Sequence, residues 1–321
     1  PGGRQGVPGR LQWGGAGVDW PRAKTILILA FGLLNLFLVY RIWVEPQVAP
    51  AQFTEVPAEE VERVARRLES QGILLEASLP LRARPMPFLE VGLLPADPAH
   101  TVALFMPGDP PPEVRRSPRR PFGFAEFTRG GDRLTIGDDG EVLFRRVGPS
   151  PAEAGGPGIW DMARARRAAE EFIAAHGGLP ADARFDFGLY DPARQVYRLV
   201  WTQWYQGRPL FEAAIEVLVA HWGVKEYRRS WLAPARFEVR RRSVIPPTDA
   251  LLRLAERLRP AEQGQRTVIQ DVSLGFLRRT FDAEWWYLTP VWRVRTSAGD
   301  ALYVSAYSGE PEVPPAPLSQ E

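Results

Sequence analysis

Apolar residues are densest over residues 25–44, where only Thr25, Asn35 and Arg41 break the run. At 1.5 Å of rise per residue such a helix is roughly 30 Å long, one hydrocarbon core, and a transmembrane helix is predicted there. After it the pattern shifts to shorter periods. Pro57 is placed to open a helix with Val61, Val64, Ala65 and Leu68 on its apolar face, and Gly72 ends it. The short apolar runs 73–81, 88–94 and 102–106 read as strands. Prolines mixed with Arg115, Arg116, Arg119 and Arg120 make 107–121 a predicted loop, and residues 134–136, a 137–140 turn and 142–144 make a hairpin.

A Pro/Gly-rich stretch, 149–158, is the predicted linker. Its Gly155, Gly156 and Gly158 are no dinucleotide loop, because no apolar strand leads into them. Asp161 then begins a helix with Met162, Ala165, Ala169, Phe172 and Ile173 on one face, stopped by Gly177 and Gly178. In residues 196–205, Tyr197, Leu199, Trp201 and Tyr205 point one way while Arg198 and Thr202 point the other. The next run sets Phe211, Ala213, Ile215, Val217 and Val219 against Glu212 and Glu216, which predicts an antiparallel sheet with one face on a helix. At least one further strand is expected in 227–240. Thr248 is placed to cap a third helix that buries Leu251, Leu254, Ala255 and Leu258, and strands at 268–276, 290–296 and 301–307 follow.

The predicted fold class is α+β, an N-terminal transmembrane helix followed by an extracytoplasmic region of repeated helix-plus-antiparallel-sheet units. The predicted organisation is a cytoplasmic N-terminus (1–24), the span (25–44), a tether (45–57), a first extracytoplasmic part (58–148), the linker (149–158), a second part with two helix–sheet units (159–312) and a disordered tail (313–321).

Charge sets the orientation. Arg4, Arg10, Arg22 and Lys24 precede the span and Glu45 follows it, so the positive-inside rule puts the N-terminus in the cytoplasm of a single-pass protein of the cell membrane. Trp20 and Trp43 fall at the two interfaces of the bilayer, with Arg22, Lys24 and Arg41 beside them. A cleavable signal peptide is the competing reading, with Ala49-Pro50-Ala51 as its small-x-small site. That site lies far from the apolar run, and an uncleaved anchor is favoured. Asn35, the chain's single asparagine, shares a stripe with Ile28, Gly32 and Val39 at spacings of 4, 3 and 4. An amide in hydrocarbon is best satisfied by another helix, so the stripe is a candidate docking face; the alternative is that the amide meets water or its own backbone.

Composition narrows the chemistry. Forty Lys and Arg against thirty-eight Asp and Glu leave a net charge of +2, with no basic footprint for nucleic acid. Cysteine is absent, which excludes disulfides and thiolate nucleophiles. His100, His176 and His221 lie in separate segments without metal-ligand spacing, and no serine sits in a nucleophile elbow. Glu212 with Glu216 and Asp282 with Glu284 could pair as acid and base, but a solvated strand face and a polar loop explain them. Trp285-Trp286-Tyr287 reads as alternate packing of rings on a sheet, with binding of a sugar or a partner as the alternative. No catalytic residue, cofactor or metal is predicted, and the chain is read as a non-enzyme.

Residues 18–25, Val-Asp-Trp-Pro-Arg-Ala-Lys-Thr, followed by ILILAFGLLNLFLVYRIW, resemble the start of the YycI family, which opens Asp-Trp-x-Arg-x-Lys-Thr before a run with Leu-Asn-Leu-Phe. By that analogy Val18 is the expected start and residues 1–17 an upstream extension. Tyr205-Gln206-Gly207-Arg208-Pro209-Leu210-Phe211 is similar to the family's Tyr-x-Gly-x-Pro-Ile-Phe, and Val272-Ser273-Leu274-Gly275-Phe276 to its Leu-Gly-Tyr strand. Pro290-Val291-Trp292-Arg293-Val294 and Tyr303-Val304-Ser305-Ala306-Tyr307-Ser308-Gly309-Glu310 resemble its closing segments, with Ser305 where the family has asparagine. The resemblance implies a membrane-anchored regulator of a YycG (WalK)-like sensor histidine kinase in a cell-wall two-component system, acting with a YycH-like protein and contacting the kinase through transmembrane helices. The alternative is an anchored PepSY-like inhibitor or ligand-binding module.

Overall fold

The N-terminal apolar run forms a helix, α1 (Trp20–Val39). The structure is a computed structural model, and it describes residues 20–39, 53–118, 123–147, 161–258, 266–278 and 285–313, with the side chains of 20–23, 278 and 285 left aside. Among the described residues no helix is long and apolar enough to cross a membrane; the described side chains of α1 begin at Lys24, and residues 40–44 of the expected span lie outside the described set. The expected linker 149–158 and the tail beyond Val313 also lie outside it.

Residues 1–50 and 51–321 are separate units. In the second, chain order runs β1 (Thr54–Glu55), α2 (Ala58–Ser70), β2 (Ile73–Leu75), β3 (Arg82–Ala83), β4 (Leu89–Leu93), α3 (Pro98–Phe105), β5 (Glu113–Ser117), β6 (Phe124–Arg129), β7 (Asp132–Gly137) and β8 (Val142–Arg145). Then come α4 (Met162–Ala175), β9 (Ala183–Asp191), β10 (Val196–Tyr205), β11 (Arg208–Ala220), β12 (Gly223–Ser230), β13 (Leu232–Phe237), α5 (Pro247–Ala255), β14 (Thr267–Arg278), β15 (Trp285–Thr296), β16 (Ala301–Ser305) and β17 (Pro311–Glu312).

Among the described residues fifteen of these strands share one branched sheet, and β1 pairs with β3 apart from it. The branch is at β11. It pairs antiparallel with β10 and β12, and its Leu210 meets Phe276 of β14 in parallel. One arm continues from β12 to β8, β7, β6 and β5; the other runs through β14 and β15 to β4 and β13. Among the described residues, strands from 58–148 therefore hydrogen-bond to strands from 159–312 at four places: β8 with β12, β4 with both β13 and β15, and β2 in parallel with β14.

Each arm has its own helix side. Ala165, Ala169, Phe172 and Ile173 of α4 bury against Leu199, Trp201, Ile215 and Val217, joined by Phe105 of α3 and Phe144 of β8. Val64 and Leu68 of α2 and Leu251 and Leu254 of α5 pack with Leu274, Phe276, Trp292 and Val294. Each Val, Leu, Ile or Phe side chain among them contributes roughly 1.5–3 kcal/mol by leaving water. These are the faces that the helical periodicity marks, and the class is α+β with helices on one side of a large, mostly antiparallel sheet.

Several elements differ from expectation. Residues 102–106 are helical, not extended, because Asp97 accepts from the Ala99 and His100 amides at 3.0 and 3.4 Å and Pro98 sits in the first turn of α3. Part of the expected proline loop is strand β5, and only Ile73–Leu75 of the 73–81 run is strand. Thr248 does not cap α5; it lies inside the helix, fully buried, and its hydroxyl donates to Glu60 Oε1 of α2 at 2.7 Å. His221, expected on the strand that bears Val217 and Val219, falls in the turn after β11. Phe211 leaves the face of Ile215 and Val217 because the β10–β11 register shifts beyond Thr202, and it packs with Leu277 and Val291 on the other side.

Candidate functional site

Every described side chain of α1, from Lys24 to Val39, is exposed, including Ile28, Gly32, Asn35 and Val39. The Asn35 amide donates to the Phe31 carbonyl at 2.8 Å, the i−4 bond open to a helical side chain. Of the expected interface residues Lys24 is exposed; the side chains of Trp20 and Arg22, and Arg41 and Trp43 altogether, lie outside the described set.

The sheet face opposite the helices is polar and mostly self-paired. Arg293 of β15 is buried and bonds Asp186 of β9 bidentately, one arm at 2.9 Å; the same guanidinium reaches Asp271 of β14 at 2.9 Å. Thr202 and Ser273 donate to the two carboxylates, and the Arg293 cation lies 4.6 Å from the Phe211 ring. Burial alone would push Asp186 up, yet the hydrogen bonds and charge of Arg293 outweigh it and hold the carboxyl below its ordinary value. Burial pushes the neighbouring Tyr303 hydroxyl up to about 12.

On the same face lies a groove of about 1210 Å³. Its charges answer one another. Arg198 holds Glu216 bidentately at 2.9 Å, Arg145 holds Glu226 at 2.9 Å, and Arg228 holds Glu141 at 2.6 Å. Glu216 is therefore an ion-pair partner, as a strand-face reading requires. Trp286 is buried in the core while Tyr287 is exposed, the alternation expected of rings on a sheet; Asp282 and Glu284 lie outside the described residues.

Two of the three histidines come together unannounced by their spacing. His100 and His176 line one cleft of about 230 Å³. His176 stacks on Phe172 with centroids 3.9 Å apart, its Nδ1 is 2.6 Å from the Phe172 carbonyl, and burial, with the charge of Arg146, lowers its pKa despite that bond. The ring thus sits at the helix end with its cationic form disfavoured by burial. Among the described residues no three metal-type ligands gather.

Within the second unit, the segments at 205–211, 272–276 and 290–294 that carry the family resemblance meet on neighbouring strands. The turn Gln206–Gly207 joins β10 to β11 with φ of 45° and 80°, both in the left-handed region that a two-residue hairpin needs. Pro209 then crosses Gly275 so closely that a Cβ there would lie 2.5 Å from the Pro209 carbonyl oxygen and 2.7 Å from the Phe211 ring. Ser305 takes the place of an amide at its turn: its Oγ accepts from the Tyr307 and Ser308 amides at 3.4 and 3.3 Å. Trp292 Nε1 donates to the Ile245 carbonyl at 3.0 Å.

These features define an α+β module whose open sheet face is closed by its own ion pairs, in a chain that also bears an exposed apolar helix. Residues 161–307, which include the branch point of the sheet, match the family described as YycI protein. A crystal structure of an uncharacterized protein from Eubacterium rectale ATCC 33656 is similar over 79% of this chain and 98% of that one, at 9% identity and a TM-score of 0.49. The crystal structure of YycH from Bacillus subtilis is similar over 57% of this chain and 44% of that one, at 14% identity and a TM-score of 0.36, so the chain spans less than half of YycH. No curated protein matches the chain.

Proposed function

We propose that this protein is a non-enzymatic accessory regulator of a cell-wall two-component system, anchored by α1 as a single-pass protein with its N-terminus in the cytoplasm and residues after the anchor outside. The observation that carries the reading is the YycI-family match over residues 161–307. In the proposal the Ile28, Gly32, Asn35 and Val39 stripe docks on a transmembrane helix of a YycG/WalK-like sensor kinase, and a YycH-like protein joins the outer unit. The physics is that of a helix in lipid. The Asn35–Phe31 bond uses one of the amide's two N–H groups, which leaves the other and the amide oxygen for a neighbour. Gly32 beside it offers a close approach, since nothing lies within 4 Å of where its Cβ would be. A helix that docks better on one kinase state by roughly 1.4 kcal/mol changes the balance of states tenfold.

Replacing Asn35 with leucine tests this. Kinase recovered with the full-length protein from detergent-solubilised native membranes should fall several-fold, while the thermal midpoint of the outer unit stays unchanged. Full recovery with Asn35→Leu would remove the stripe from the reading.

A further inference from the structure

Most arginines of the outer unit that face a cavity are held by a carboxylate, and three that are not share one pocket. Arg84, Arg208 and Arg241 line one pocket of about 380 Å³, and among the described residues no acidic side chain lines it or pairs with any of the three. They arrive from three segments. Arg208 is the first residue after the Gln206–Gly207 turn, Arg84 follows β3 and opens the buried stretch Pro85-Met86-Pro87, and Arg241 lies past the end of β13. The floor is apolar: Phe237 and Phe276 stack with centroids 5.8 Å apart. Phe276 is the residue that bridges to Leu210, so the branch point of the sheet sets both the floor and the position of Arg208.

Arg84 and Arg241 reach the pocket from exposed positions, and Arg208 between them is half-buried without a carboxylate beside it. Partial burial of Arg208 disfavours its cation, and the positive charge of Arg84 disfavours it further. Elsewhere on the unit the same problem is solved from within, as with Arg198 on Glu216 or Arg236 on Glu90 at 2.7 Å. Here no side chain lining the pocket offers a counter-charge, which leaves the place open to an anion from solution. Guanidinium forks match the oxygens of phosphate groups, and several together suit an anion carrying more charge than a single carboxylate. A pocket of this size accommodates a phosphate with a small organic group against the phenyl floor.

We infer that the pocket between the β10–β11 turn, the Arg84 loop and the end of β13 is a binding site for a phosphate ester, with Arg84, Arg208 and Arg241 as its ligands. The ester is either a free small molecule or the headgroup of an anionic lipid. The assignment stands apart from the proposed kinase contact, which involves α1 alone.

The test is isothermal titration calorimetry of the full chain in a neutral detergent. The probes are sn-glycerol 3-phosphate in one arm and dihexanoylphosphatidylglycerol in the other, with dihexanoylphosphatidylcholine as the uncharged comparison. Saturable binding is expected in at least one arm. Arg84→Gln and Arg208→Gln should each weaken it about tenfold, while Arg66→Gln, on the exposed face of α2, should not. Binding of the soluble ester assigns a free ligand; binding of the phosphatidylglycerol alone assigns the headgroup. Because the cations repel one another when the pocket is empty, Arg84→Gln should hold or raise the thermal midpoint without ligand, a result that a structural arginine would not give. The inference is overturned if neither probe binds, or if binding survives both Arg84→Gln and Arg208→Gln.

Discussion

Asp186 and Asp271 come from β9 and β14, and both accept from the single guanidinium of Arg293 on β15. Because β9 and β15 are not neighbours in the sheet, this bond ties together strands that the backbone ladder leaves apart. Replacing Asp186 with asparagine leaves a buried cation held by Asp271 alone, and removing one partner of such a pair costs about 3 kcal/mol. The urea midpoint should drop accordingly at neutral pH. The pH dependence follows from the lowered carboxyl: its contribution is full above the ordinary carboxylate pKa and is lost as pH falls through the lower value of the folded state. Asp186→Asn should therefore lack that part of the acid destabilisation seen in the parent. None of this network was legible in the sequence beyond Arg293 itself, which stands inside the Pro-x-Trp-Arg segment; its partners are spread over three strands whose order only the fold supplies. The arginine pocket was hidden for the same reason. Arg208 carried one signal, a cation directly after a tight turn in a family-like segment.

At the scale of elements, apolar spacing marked the helices well and the strands less well. The α2 and α4 faces lie where a 3.6-residue period puts them. What the period could not tell was residues 102–106, because a short apolar run serves helix and strand alike; the Asp97–Pro98 pair ahead of it was the deciding cue. Alternation in β11 held from Ala213 onward and failed at Phe211, since a register shift is invisible to a count of two. Gly275 shows the opposite case, a small residue whose reason is spatial. Its backbone is ordinary, and the constraint is the Pro209–Phe211 crossing above it. Gly275→Ala should cost about 1–3 kcal/mol by overpacking, measured as a lower denaturant midpoint. Hydrogen exchange should speed up earliest at the amides around the Leu210–Phe276 bridge between β11 and β14.

At the scale of the whole molecule, the sheet joins what the Pro/Gly-rich stretch was expected to divide. Expressed alone, residues 159–312 would leave open edges on β12, β13, β14 and β15 where β8, β4 and β2 pair, and residues 58–148 would lack most of the ladder that holds them. Each piece by itself should be aggregated or unfolded in size-exclusion chromatography, and mixing the two should restore a soluble species. Independent folding of either piece would make the stretch a true domain boundary.

The parallel seating of Ile73–Leu75 against Thr267–Ile269 has a further consequence in time. A ribosome completes the early segment long before its mate exists, so the opening third of the outer unit waits, with apolar rows uncovered, for the closing strands to arrive. The β2 edge stays unpaired until Thr267–Ile269 has been made, so the sheet closes late in synthesis.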